Sequence, residues 1–233
     1  MLKIDVVLSP ALLEYYDISG KVVVVIDIFR ASSSIVYGLE NGAIEIIPVK
    51  TLEECLSFGR ENFLLAAERD GKVMPGFDFG NSPFSYTREM VEGKRIVLTT
   101  TNGTHAIDLA KDAYKVLIGS FFNQKAICDK LIQLGKDVIL LCAGWKNKFN
   151  IEDTLFAGAV VQELRGKFQP EGDSAIAAQD LYEVYSDDMS ILLTKSSHSK
   201  RLIQLGIEQD ALFCLNRNTC SVVPVLVGKS LIV

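Results

Sequence analysis

The sequence is poor in the residues that build many familiar sites. It has only two histidines, His105 and His198, so a His-based metal site or a Ser-His-Asp triad has little to draw on. Its five cysteines (55, 128, 142, 214 and 220) form no CxxC pair. Their odd number and irregular spacing suit reduced, buried thiols rather than disulfides or a zinc site. Mean hydropathy is +0.23, yet no apolar run reaches the roughly 18 residues that a membrane span requires. The opening MLKIDVVLSPALL lacks a long apolar core and is interrupted by Asp5, which makes it a poor signal peptide. These absences predict a cytoplasmic protein with no membrane partner. No Lys/Arg cluster stands out, and a net charge of −5 with a pI of 5.2 argues against a nucleic-acid surface. Three phosphate-handling motifs are also missing. No GxxxxGK[ST] loop occurs, no GxGxxG follows a strand, and Asp27-Ile28-Phe29 lacks the second acid of an Asp-x-Asp phosphatase.

What is present is an alternation of short apolar runs and helix-period segments. IDVVL, VVVVIDI, IEIIPV, FLLAAE, KRIVLTT, YKVLIGS and DVILLCAG read as strands. Ser32 to Asn41, closed by Gly42, and TLEECLSFGREN read as helices. Strands alternating with helices predict βαβ units and an α/β fold, a largely parallel or mixed sheet covered on both faces in a three-layer α/β/α arrangement. Residues 68–86, with three glycines and two prolines, are too long for a bare connection and read as a functional loop. After Lys167 the pattern turns mostly helical until VVPVLVG, a last strand. No flexible linker divides the chain. Residues 1–233 therefore read as one unit, with room for a helical C-terminal lobe at about 168–233.

In a parallel sheet, ligands bind beyond the carboxyl ends of the strands, so the residues that follow each apolar run carry the information. Asp27, Arg30 and Ser32 to Ser34 follow VVVVI, and Glu68 and Arg69 follow FLLAA. Thr99 to Thr104, including Thr100, Thr101, Asn102 and Gly103, follow RIVL, and Glu152 and Asp153 follow VILLCAG at a distance. Hydroxyls at a helix start are good N-caps, and the same hydroxyls beside free N–H groups and an arginine can cradle an anion. Both uses remain open for each cradle. Asp27, Glu68, Asp78, Glu152 and Asp153 are hard oxygen donors without His or Cys, which suits Mg²⁺. Glu152 and Asp153 equally suit the first turn of a helix. As lone histidines, His105 and His198 are expected at the surface or at helix caps, and Trp145 and the phenylalanines of GFDFGNSPF are expected in packing.

Four segments, VVVVIDIFRASSSIVYGLENGA, ERDGKVMPGFDFGNSP, LTTTNGT and CAGWKNKFNIEDTLFAG, together resemble the 2-phosphosulfolactate phosphatase family. The stretch SSHSKRLIQLGIEQDALFCLNRNTCSVVPV resembles that family's C-terminal portion, so the similarity spans nearly the whole chain. The resemblance implies a Mg²⁺-dependent phosphatase that hydrolyses 2-phosphosulfolactate to 3-sulfolactate and phosphate, a step toward coenzyme M. On that reading, the metal ligands are drawn from Asp27, Glu68, Glu152 and Asp153. Asp27 and Arg30 are the catalytic pair, with Asp27 activating water or acting covalently. Arg30, Ser32 and Ser33 hold the phosphate, and Thr100, Thr101, Asn102 and Gly103 hold a second part of the substrate or the other phosphate oxygens. The 68–86 loop closes over the site with Asp78 and Asn81, and Arg69 meets the sulfonate or carboxylate. The pattern leads one to expect Gly where Asp70 stands and Arg where His105 stands. The partner is a small phosphorylated acid, and a homodimer stays open. The alternatives are the same chemistry on another 2-phospho-hydroxy acid, or an anion- or nucleotide-binding module without turnover.

Overall fold

The computed structural model describes residues 1–233, apart from the side chain of Leu193. The strands are β1 (Leu2–Val7), β2 (Val22–Ile26), β3 (Glu45–Pro48), β4 (Phe63–Arg69), β5 (Lys72–Val73), β6 (Arg95–Thr99), β7 (Lys115–Gly119), β8 (Val138–Cys142), β9 (Phe168–Pro170), β10 (Val225–Val227) and β11 (Ser230–Ile232). The helices are α1 (Ala31–Glu40), α2 (Leu52–Leu56), α3 (Arg88–Val91), α4 (Gly103–Leu109), α5 (Gln124–Leu134), α6 (Ile151–Glu163), α7 (Asp173–Tyr185), α8 (Ile191–Lys195), α9 (Ser197–Gln204) and α10 (Glu208–Cys214).

One mixed sheet runs in the order β5-β4-β6-β3-β11-β10-β7-β2-β8-β1-β9. It is flanked by helices, as the α/β reading requires. Every residue of β2 and β8 is buried, which explains why VVVVI and VILLC are continuous apolar runs rather than alternating ones. Val22, Val24 and Ile26 point to the core under α5, α6 and α7. Val23 and Val25 point to the opposite core, shared with Ile35 and Val36 of α1 and Ile96 and Leu98 of β6.

Two parallel groups make up the sheet, β4-β6-β3 on one side and β7-β2-β8-β1-β9 on the other. The β10–β11 hairpin joins them through three successive antiparallel pairings. In a flat sheet those three steps would send the carboxyl ends of the two groups to opposite edges. Residues at those ends, Asp27 after β2 and Glu68 and Thr100 at the ends of β4 and β6, nevertheless line one pocket. The hairpin's pairings with β7 and β3 are single residue pairs, Val225↔Leu117 and Leu231↔Ile46.

Two local expectations change. The helix expected over TLEECLSFGREN stops at Leu56, where Ser57 turns its hydroxyl back to the Glu54 carbonyl. The 68–86 segment begins as a hairpin rather than a loop. β4 and β5 pair through Glu68↔Val73 and Arg69↔Lys72 around Asp70-Gly71, whose φ values are +53° and +81°. Asp-Gly is a favoured pair for such a two-residue turn.

Candidate active site

β2 ends at Ile26, and the chain passes through Asp27 to Arg30 before α1 begins. The Phe29–Arg30 peptide is cis. Asp27 is 7% exposed. Its carboxylate accepts a long hydrogen bond from the Ala31 N–H at 3.4 Å, at the start of α1. Burial pushes its pKa up to about 6. His198 pulls it down, while Glu68 and Glu152 push it further up.

The hydroxyls of the serines that follow are bonded to backbone groups. Ser32 Oγ donates to the Asp27 carbonyl at 2.8 Å and accepts from the Asp27 N–H at 3.0 Å. Ser33 Oγ donates to the Ile28 carbonyl at 3.0 Å, and Ser34 Oγ to the Asn81 carbonyl at 2.5 Å. Ser32 and Ser33 tie the turn around Asp27, and Ser34 ties α1 to the 68–86 segment.

Asp27, Arg30, Glu68, Asn81, Thr100, Thr101 and Asn102 line one narrow pocket, with room of only about 20 Å³ for a water-sized group. Arg30 is anchored from behind by an ion pair with Asp210 of α10, and it donates to the Gly71 carbonyl at 3.2 Å. Glu68 accepts from the Gly71 N–H. Asn81 Oδ1 is buried and has no hydrogen-bond partner. Thr100 and Thr104 exchange bonds around the start of α4. Gly103 lies outside the pocket lining. A Cβ there would stand 2.7 Å from Ala31 Cβ and 2.8 Å from Asp27 Oδ2, so its bare backbone is what lets α4 approach Asp27.

Other expected site residues are spent elsewhere. Asp153 accepts from the Ile28 N–H at 2.8 Å with one oxygen, and from the Gly144 N–H and the Asn150 amide at 3.0 and 2.9 Å with the other. It braces the turn under Asp27, and burial drives its pKa well up. Arg69 donates to the Glu68 carbonyl and to Thr99 Oγ1, and it does not line the pocket. Asp78 binds the Leu65 N–H and pairs with Arg60. His105 is exposed in a different hollow, beside Pro10 and Asn147.

Glu152 is fully buried and holds His198 Nδ1 at 2.7 Å and Ser196 Oγ at 3.0 Å. His198 is therefore no surface histidine. Its ring lines the pocket between Phe29 and Trp145, stacked on the indole at 6.5 Å. Arg201, one turn further along α9, also lines the pocket. Trp145, His198 and Arg201 are the residues that sequence reading missed. The one signal in the sequence was scarcity, since His198 is one of only two histidines.

Among the described residues no group of three or more His, Cys, Asp or Glu side chains is placed to hold a metal. Asp27 and Glu68 share the pocket with the unpartnered Asn81 oxygen. That all-oxygen set fits Mg²⁺, which commonly takes one or two carboxylates and completes its shell with water and substrate. The five thiols are buried, and desolvation raises their pKa values, to about 11 for Cys55 and Cys220 and about 12 for Cys214. They are poor nucleophiles.

Residues 7–229 match the family model for 2-phosphosulpholactate phosphatase. The chain belongs to the 2-phosphosulfolactate phosphatase family. Membership places it among the phosphoric monoester hydrolases. A probable 2-phosphosulfolactate phosphatase of Thermotoga petrophila is 42% identical over 225 residues, 97% of this chain and 96% of that one. The protein of the same description from Symbiobacterium thermophilum is 39% identical, covering 90% of this chain and 92% of its own. That from Clostridium acetobutylicum is 36% identical, covering 96% and 97%. Among the described residues, no helix is long and apolar enough to cross a membrane.

Proposed function

We propose that this chain hydrolyses 2-phosphosulfolactate to 3-sulfolactate and phosphate, with Mg²⁺ held by Asp27 and Glu68 and the Asn81 carbonyl oxygen as a further donor. The observation that carries this reading is the convergence of Asp27, Glu68, Arg30 and the unpartnered Asn81 oxygen on one pocket at the start of α1. An anion-binding module gains nothing from two carboxylates beside its anion, whereas a cation-assisted phosphatase does. When bound, the metal supplies positive charge against the phosphate oxygens.

The chain's own groups do the rest. Arg30, immobilised by Asp210, presents a fixed guanidinium to the phosphate. Asp27 is ionised at neutral pH and takes a proton from the attacking water. The water oxygen bonds to phosphorus as the ester P–O bond breaks. His198 lines the pocket with Nδ1 held on the Glu152 carboxylate, and in its doubly protonated form it gives its Nε2 proton to the departing alkoxide oxygen. Burial of the site strengthens each of these charge interactions.

The test is a panel of phosphorylated 2-hydroxy acids, assayed for phosphate release with Mg²⁺ and with EDTA. The proposal expects the highest kcat/KM for 2-phosphosulfolactate and loss of turnover in EDTA. A higher kcat/KM for another 2-phospho-hydroxy acid would keep the chemistry and replace the substrate. Tight binding of these acids with no phosphate release under any condition would overturn the enzymatic reading.

A further inference from the structure

The mouth of the pocket is built from three separate segments. Arg201 reaches in from α9 with its side chain 26% exposed. Its guanidinium lies 5.4 Å over the Trp145 ring, and its Nη2 is 3.1 Å from Asp70 Oδ1. Asp70 stands at the tip of the β4–β5 hairpin and is 75% exposed. Lys146 Nζ is 3.9 Å from the same carboxylate oxygen.

The two arginines of the pocket differ in how they are held. Arg30 is 5% exposed and locked to a buried aspartate, so its partner is permanent. Arg201 is paired only with an exposed carboxylate, and such pairs contribute little, on the order of 0–1 kcal/mol. Its orientation comes instead from stacking on the indole, which leaves the fork of N–H donors presented to an acid group at small entropic cost. On the phosphatase reading, Arg30 and the cation held by Asp27 and Glu68 are taken up by the phosphate deep in the pocket, so a second acid on the substrate meets a further cation only at the mouth.

We propose that Arg201, stacked on Trp145, binds the second acid group of the substrate, and that Asp70 holds this position until the substrate displaces it. The inference rests on the phosphatase reading and names the specificity-determining residue of that site. It moves the expected contact with the sulfonate or carboxylate from Arg69, which is spent on Glu68 and Thr99, to Arg201.

The experiment compares wild type, Arg201→Gln, Arg201→Lys and Asp70→Asn, each checked for native folding by circular dichroism. Asparagine tolerates the left-handed backbone at position 70, so Asp70→Asn removes charge without straining the turn. Two substrates are used: 2-phosphosulfolactate, and glycerol 2-phosphate, a monoester with no second acid. Arg201→Gln is expected to lower kcat/KM for the first about ten- to hundredfold more than for the second, mainly through KM, the size of one charged hydrogen-bonded contact. Arg201→Lys falls between, and Asp70→Asn lowers KM for 2-phosphosulfolactate. Equal losses on both substrates would overturn the inference. A second arm needs no turnover. Trp145 is the only tryptophan in the chain, so its fluorescence reports a titration with 3-sulfolactate. Arg201→Gln is expected to raise the midpoint about tenfold or more. An unchanged midpoint, or no response in wild type, would contradict the proposal. An Arg201-dependent titration in a protein that hydrolyses neither ester would overturn the phosphatase reading and leave the acid subsite standing.

Discussion

Asp27 sits where a strand buried on both faces meets the start of a helix, and that position is costly. Its pKa is pushed from an ordinary 3.8 up to about 6, chiefly by burial. The folded state thus holds the proton more tightly than the unfolded state. Stability contributed by the protonated group is present below about pH 4, is lost as pH rises to about 6, and stays lost above it. A shift of that size corresponds to a cost on the order of 2–3 kcal/mol for keeping the carboxylate ionised. Asp27→Asn is therefore expected to melt higher than wild type at pH 8 in EDTA, with the gap closing towards pH 4, as thermal melts across that range would show. The same variant should lose phosphate release by about a hundredfold or more. Asp27 and Arg30 were legible in the sequence because charge directly after VVVVI needs a reason. Ser32 and Ser33 were not, because a hydroxyl that ties a turn and one that binds phosphate look identical as letters. Only the partners distinguish them, and here the partners are backbone carbonyls.

At the level of elements, α9 is held onto α6 by Glu152, which receives Ser196 at the α9 cap and His198 two residues further on. The separation of 46 positions between Glu152 and His198 explains why no local pattern reveals the pair. Glu152→Ala leaves both partners unsatisfied in a buried setting, with an expected loss of about 2–4 kcal/mol. Hydrogen exchange should accelerate across residues 197–204 before the β2 and β8 amides respond. The crossing of α6 and α7 depends on Gly158, where a Cβ would sit 1.9 Å from the Ala178 carbonyl oxygen. Gly158→Ala is expected to cost at least about 1–3 kcal/mol through overpacking, read as a lower denaturant midpoint. Two hairpins escaped the periodicity reading for different reasons. Asp70-Gly71 carried the right turn chemistry, but the glycines and prolines beyond it made the segment look like a loop. In VLVGKSLIV, the Gly228-Lys229 turn separates strands of three residues, too short to show alternation.

Across the whole molecule, the alternation of apolar runs and helices was enough to read an α/β fold with helices on both faces. It could not show that the last dozen residues lie in the middle of the sheet. β10 and β11 bridge β7 to β3, so the C-terminus connects the strand group that carries Asp27 to the group that carries Glu68 and Thr100. We propose that the chain unfolds as one unit for this reason. Removing residues 222–233 should abolish a cooperative transition by circular dichroism, whereas a separable C-terminal lobe would leave the remaining domain melting normally. The same geometry makes the active site a property of the complete fold, with its floor on one strand group, its wall on another and its mouth on α9. The most direct test of the central claim is phosphate release from 2-phosphosulfolactate by wild type and Asp27→Asn, each with Mg²⁺ and then with EDTA. The account predicts release by wild type with Mg²⁺, its loss in EDTA, and near-absence in the folded variant. No release by wild type with Mg²⁺, or equal release by Asp27→Asn, would contradict it.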